Sequence, residues 1–229
     1  MILAAGLGER MRPLTDHTPK PLLEVGGRRL IEWHLAALAR AGFREVIINH
    51  AWLGAQLPAT LGDGARYGLR LQYSDEGESA LETGGGIFKA LPWLGPEPFL
   101  VVNGDVWTDF DHARRPQLDA RALAALVLVP NPPQHPRGDF ALRSGPERTD
   151  VVAEPEADAA RYTFSGIGVY RPEFFAGCEP GKFPLLPLFR RAAAAGRLRG
   201  QLYQGLWFDI GTPQRLRELD ERLGAGAVG

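Results

Sequence analysis

The first twenty residues, MILAAGLGERMRPLTDHTPK, constrain this chain more than any other stretch. Residues 1–5 form a short apolar run with the character of an interior strand, and Gly6 and Gly8 follow at once. Glycine takes positive φ readily and carries no Cβ, so backbone N–H groups in such a turn can close around an anion. Arg10, Arg12 and Lys20 add positive charge beside the turn. The combination suits a triphosphate. An ordinary strand-to-helix turn with solvated arginines is the alternative for the two glycines alone, and Pro13, Thr15 and the Thr18-Pro19-Lys20-Pro21 segment weigh against it.

Two common phosphate loops are excluded. No Gly-Lys-Ser/Thr ending stands at the offset a P-loop needs. The dinucleotide fingerprint G-x-G-x-x-G would put its third glycine at Met11, where close helix–strand packing demands it, so that motif fails too.

Beyond the turn, helical and strand periods alternate. The spacing predicts a helix over 30–40 with Ile31, His34, Leu35 and Leu38 on one face and Gly42 behind it. Strands are expected over 45–49, 69–73 and 99–102, and helices over 53–61, where Pro58 breaks the helix or delays its start, and over 83–91; 122–129 reads as a helix end or a strand, with 126–129 taken as strand. This alternation argues for a three-layer α/β sandwich around a mostly parallel sheet. The second half is less regular: a proline-rich loop over 130–136, short strands near 140–143, 151–153 and 167–170, a helix over 185–195 stopped by Gly196, and strand and loop over 201–210. No linker or repeat interrupts the 229 residues, so a single domain is expected, about 1–110 serving the nucleotide and about 111–229 forming a small substrate-binding lobe on the same sheet.

The formal net charge is −1 without a basic block, so nothing favours nucleic acid as a partner. No apolar run is long enough to span a bilayer, no signal peptide is evident, and one cysteine, Cys178, forms no intramolecular disulfide, which together point to the cytoplasm. Cys178 reads as a small buried or half-buried thiol rather than a nucleophile, and the five histidines show no metal-ligand spacing.

Asp105 ends an apolar strand at its carboxyl edge, where open α/β sheets bind ligands, and Asp209 stands between apolar residues just before Gly211. Two such carboxylates could hold Mg²⁺ against phosphate oxygens, and each alone could instead be a turn or capping residue. Asp209 or Thr212 could cap a helix starting near Pro213, and Asp109 and Asp111 read as loop residues. Glu82-Thr83-Gly84-Gly85-Gly86 reads as a second glycine loop opening a helix, able to meet a flat base or simply to start the helix with Thr83 as its cap. Arg137-Gly138-Asp139-Phe140 is a tight turn that faces substrate or solvent, and the tryptophans at 52, 93, 107 and 207 are assigned to packing.

On these residues the chain resembles the sugar-1-phosphate nucleotidyltransferases along nearly its whole length. The resemblance rests on L-A-A-G-x-G-x-R-M from Leu3 to Met11, Pro19-Lys20-Pro21, Asn103-Gly104-Asp105, and Trp207-Phe208-Asp209-Ile210-Gly211-Thr212. Within the family, the blocks 49–54, 81–91, 102–110, 137–140 and 164–170 look most like the branch that takes UTP and N-acetylmuramic acid 1-phosphate. The resemblance implies a Rossmann-like αβα fold and Mg²⁺-dependent transfer between UTP and a sugar 1-phosphate. It assigns Arg10, Lys20, Asp105 and Asp209 to catalysis and the two aspartates to the metal. Leu3, Ala5, Gly6, Gly8, Glu9, Arg10, Lys20 and Gly85 fall to the nucleotide, and Asn103, Gly138 and Glu154 to the sugar. Glu154-Pro155 stands where many members carry a Glu-Lys-Pro turn, which leaves Lys182 or Arg143 for the sugar phosphate.

Overall fold

Apolar runs that alternate between two cores set the middle of the molecule. The computed structural model describes residues 1–77, 79–144, 150–155 and 159–225. In chain order its strands are β1 Ile2–Leu3, β2 Glu24–Val25, β3 Arg28–Arg29, β4 Glu45–His50, β5 Arg70–Asp75, β6 Phe99–Asn103 and β7 Val106–Thr108. They continue with β8 Ala124–Val129, β9 Ala141–Ser144, β10 Asp150–Ala153, β11 Thr163–Tyr170, β12 Leu198–Leu202 and β13 Trp207–Asp209. The helices are α1 Leu30–Arg40, α2 Gln56–Leu61, α3 Glu82–Leu94, α4 Leu186–Ala194 and α5 Pro213–Gly224.

Nine strands form one sheet in the order β5-β4-β1-β6-β11-β8-β12-β10-β9. The pairings leave only β11 and β10 running against the rest, so the sheet is mixed but mostly parallel in direction. Side chains alternate along the buried strands. Phe99, Val101, Leu126 and Leu128 enter the core that holds Ile87 of α3 and Phe189 of α4. Leu100, Val102 and Val127 enter the core that holds Ile31, Leu35 and Leu38 of α1. Two cores on opposite faces of one sheet make the three layers expected from the alternation.

A third, smaller cluster joins Met11, Trp107, Ile210, Leu216 and Leu219. It fixes the end of the N-terminal loop, the two-stranded ribbon β7–β13 and α5 against one another.

Local sequence explains most boundaries. Helix α1 ends where Gly42 takes φ 88°, its N–H reaching the Ala39 carbonyl while Phe43 N–H reaches Leu38. Helix α2 starts late, at Gln56, with Pro58 in its first turn, where a missing N–H costs nothing. One open reading is settled and two expectations need correction. Gly84, Gly85 and Gly86 are a helix start, the alternative to a loop, and lie buried at the beginning of α3. Thr83 does not cap that helix, because its hydroxyl accepts from the Leu185 N–H instead. Strand β11 also begins earlier than expected, through a register shift between Phe164 and Ile167 that bends it beside the site described below.

Candidate active site

The chain leaves β1 for α1, β4 and β5 on one side and returns to β6 on the other, so the strand order reverses between β1 and β6. Open α/β sheets form their ligand crevice at such a point, beyond the carboxyl ends of the strands. Here that edge carries the N-terminal loop, Asn49 at the end of β4, and Asn103-Gly104-Asp105.

The loop is pinned from beneath. The Ala4 N–H donates to Asn49 Oδ1 at 2.9 Å, Asn49 Nδ2 donates to Glu76 Oε1 at 2.6 Å, and Glu76 Oε2 accepts from the Leu81 N–H at 2.7 Å. Gly8 has φ 66°, and a Cβ there would lie 2.9 Å from Thr15 Cγ2, so glycine is required by conformation and space alike. The Thr15 hydroxyl donates to the Gly8 carbonyl at 2.7 Å. Met11 is buried and anchors the far end. Between these clamps the N–H groups of Ala5, Gly6, Leu7 and Gly8 have no partner among the described residues. A rigid loop offering unpaired N–H groups is an anion cradle.

A cleft of about 530 Å³ opens over it, lined by Leu3, Ala5, Gly6, Gly8, Glu9, Arg10, Lys20, Asn103 and Asp105 among others. Lys20 is nearly buried on a short turn between Pro19 and Pro21, and its Nζ lies 2.8 Å from Asp105 Oδ2. A buried ammonium needs such a partner. Beneath β7, burial pushes the His34 imidazole down to about 4, against a hydrogen bond to the Val106 backbone and the Asp105 charge, which act the other way. His34 therefore brings no competing charge under the aspartate.

The ribbon brings the second aspartate alongside. Asp209 pairs in register with Val106, and the Ile210 N–H donates to the Asp105 carbonyl at 2.9 Å. Both carboxylates line a second cleft of about 350 Å³, together with Arg10, Asn103, His135, Ser165, Trp207 and Arg215. Arg215 Nη1 contacts Asp209 Oδ2 at 2.5 Å. Each aspartate thus has one oxygen held by a cation, and its Oδ1 has no partner among the described residues. Two adjacent carboxylates with spare oxygens beside an anion cradle fit Mg²⁺, which takes one or two protein carboxylates and fills its shell with water and substrate phosphates. Arg10 lines both clefts.

Three sequence expectations meet a different arrangement. Gly85 does not line the cleft: it packs so closely on the Gly181 carbonyl that a Cβ would lie 2.1 Å from that oxygen, and Glu82 and Thr83 form the wall in its place. Gly138 has φ 60° and packs on the Asn131 side chain, behind the second cleft rather than in it. Glu154 reaches Arg190 of α4 at 3.0 Å and lines neither cleft. Lys182 lies 3.9 Å from Glu82 at the rim of the first cleft, whereas Arg143 sits on β9, toward the far edge of the sheet. Asp109 and Asp111 serve loops, as expected, accepting from the Leu206 and Ala113 N–H groups.

Sequence reasoning did not single out Arg215, His135, Ser165, Asn49 or Glu76. Trp207, assigned only to packing, lines the second cleft and donates to the Ser165 carbonyl at 2.8 Å. The one local signal for Arg215 was its place in the first turn of a helix capped by Thr212 beyond Asp209.

A strand-edge cradle with basic side chains and a paired aspartate site defines a nucleotide-handling transferase, and the chain belongs to the Nucleotidyl transferase family, whose profile matches residues 1–225. It is 52% identical, over 98% of both chains, to N-acetylmuramate alpha-1-phosphate uridylyltransferase of Neisseria meningitidis serogroup B, and 37% identical to the protein of that name in Caulobacter vibrioides, over 97% of this chain and 96% of that one. In three dimensions it is similar to a putative glucose-1-phosphate thymidylyltransferase from Bacillus anthracis, with a TM-score of 0.80 at 20% identity, covering 97% of this chain and 93% of that one. That last likeness concerns the fold alone.

Proposed function

We propose that the protein transfers UMP from UTP to N-acetylmuramic acid 1-phosphate, giving UDP-N-acetylmuramic acid and pyrophosphate, as a cytoplasmic step in peptidoglycan recycling. The full-length 52% likeness to the meningococcal uridylyltransferase carries the choice of substrates. The reaction class is supported by the unpaired N–H groups of the N-terminal loop beside two aspartates in one cleft.

An oxygen of the sugar phosphate attacks the α-phosphorus of UTP in line with the departing bridge oxygen. The new P–O bond forms as the bond to the β-phosphate's bridging oxygen breaks, and its electron pair leaves with pyrophosphate. The nucleophile is already an anion near neutral pH, so no proton has to be removed. The principal barrier is the approach of two polyanions, and catalysis here is charge neutralisation and positioning. Arg10 lines both clefts, which supports a role between the triphosphate and the sugar phosphate. Lys20 keeps Asp105 in place and adds a buried positive charge at the nucleotide side. Asp105 and Asp209 would hold Mg²⁺, which supplies Lewis-acid stabilisation of phosphoryl oxygens when bound. The Ala5–Gly8 N–H groups offer fixed dipoles to phosphate, requiring no reorganisation.

A matrix of UTP, GTP, dTTP and ATP against the 1-phosphates of N-acetylmuramic acid, mannose and glucose, scored by pyrophosphate release, tests the reading. The expected outcome is fastest turnover with UTP and N-acetylmuramic acid 1-phosphate. Preference for GTP with mannose 1-phosphate, or for a glucose 1-phosphate pair, would reassign the substrates. No turnover with any pair would mark a nucleotide-sensing module instead.

A further inference from the structure

The second cleft contains more than a phosphate site. Apart from Arg215, held on Asp209, and Arg10, whose guanidinium lies beside Gly211, one other side chain among its described lining residues can carry positive charge: His135. It sits on the 130–139 loop, which is held unusually firmly for a proline-rich connection. Asn131 Nδ2 donates to the Arg161 carbonyl at 3.0 Å and to the Pro136 carbonyl at 3.2 Å, while Asn131 Oδ1 accepts from the Thr163 hydroxyl at 2.9 Å. Asp139 ties the other end, its Oδ2 accepting from the Phe164 N–H at 2.8 Å.

The remaining Asp139 oxygen, Oδ1, lies 2.9 Å from His135 Nε2. A carboxylate only accepts, so Nε2 must carry a proton, and the ring orientation is set by a fixed acid. Nδ1 has no partner among the described residues. The neighbouring Gln134 also lines the cleft, and its amide has no partner there either. The hydroxyls of Thr163 and Ser165, by contrast, already donate to Asn131 Oδ1 and to the Val127 carbonyl. Left for a ligand at this wall are the Gln134 amide and an imidazole steadied by a carboxylate, whose Nδ1 donates only when the ring is protonated, with the Asn103 amide across the cleft.

We propose that His135, oriented by Asp139 and assisted by Gln134, binds a carboxylate carried by the sugar and so selects for it. The idea rests on the N-acetylmuramic acid reading: that sugar is N-acetylglucosamine with a lactyl ether, and the ether adds a second anion away from the 1-phosphate. With the arginines grouped around Asp209 and Gly211, the second anion needs its own partner. An imidazolium donating from Nδ1 to the lactyl carboxylate and from Nε2 to Asp139 supplies a charge-assisted hydrogen bond held at both ends. The contact cannot form with N-acetylglucosamine 1-phosphate, so it discriminates between two sugars that are otherwise the same.

The test measures kcat/KM with UTP for N-acetylmuramic acid 1-phosphate and for N-acetylglucosamine 1-phosphate, in the wild type and in His135→Ala, His135→Gln and Arg137→Ala. The ratio of the two values is expected to favour the muramic sugar in the wild type. It should fall about tenfold or more in His135→Ala, mainly through KM of that sugar, with a smaller fall in His135→Gln, which keeps a neutral donor. A ratio that stays at the wild-type value in both His135 variants, or falls only in Arg137→Ala, overturns the proposal while leaving the uridylyltransferase reading intact. A wild type inert toward N-acetylmuramic acid 1-phosphate would instead overturn that reading, and this inference with it. If His135→Ala does not fold, the ratio in His135→Gln decides.

Discussion

Replacing Asp105 by Asn is expected to lower kcat by about 10²–10³-fold while the chain still melts cooperatively within a few degrees of the wild type. The amide keeps the shape of the side chain at the end of β6 and can still accept from Lys20, so the local packing survives. What disappears is one negative charge in a cleft that also holds Asp209, and with it half of the proposed metal site. Asp105 is 43% exposed, so its pair with Lys20 adds little to folding beyond neutralising the buried ammonium. Stability should drop by about 1 kcal/mol, which for a domain of this size is roughly 2–4 °C. Steady-state rates over a Mg²⁺ titration, alongside a thermal melt, separate the two effects. Near-normal turnover in a folded Asp105→Asn protein would remove Asp105 from the metal site.

Replacing Lys20 by Met is expected to cost about 10²-fold in kcat/KM. The side chain is 10% exposed and filled equally well by methionine, so the substitution removes charge more than volume. It leaves Asp105 beside Asp209 without its cation, and the cradle without its nearest buried positive charge. Because Lys20 and Asp105 act as a unit, the double variant should lose clearly less than the product of the single losses. A purely structural lysine would behave differently: the melting temperature would fall while kcat stayed put. Kinetics of the two single variants and the double variant, each with its melt, tell these apart.

The parts of the fold that local sequence specifies were legible in advance. Helix α1 runs over the expected 30–40, because its apolar period and Gly42 sit within one short stretch. The apolar runs of β4 and β6 were equally plain, since strands buried on both faces need no alternation, whereas the same uniform burial left the run that becomes β8 open between helix end and strand. The nucleotide edge was legible because the residues of the loop are contiguous, and Leu3 to Arg10 reach the cleft through backbone geometry alone.

What was not legible depends on distant partners. Three consecutive glycines do not choose between a loop and a helix start; Phe183 and Gly181 pack on Gly84 and Gly85, the Gly85 N–H reaching the Phe183 carbonyl, while Glu76 and Asn49 pack on Gly86 at the start of α3. Glu154 is drawn away by Arg190, which no spacing rule connects to it. Arg215 enters the site only because β13 pairs with β7, which brings together residues far apart in sequence, such as Thr108 and Leu206, 98 positions apart. His135 gains significance from Asp139 four residues on, a pairing the sequence permits but does not announce.

The proposed chemistry turns on the carboxylates of Asp105 and Asp209 sharing one divalent ion beside the N-terminal cradle. It is tested most directly by growing crystals with UTP and Mn²⁺ and recording anomalous scattering at the manganese edge. One peak coordinated by both aspartates and by triphosphate oxygens is expected, and it should be lost in Asp209→Asn. A manganese peak bound by neither aspartate, or one that persists unchanged in that variant, would contradict it.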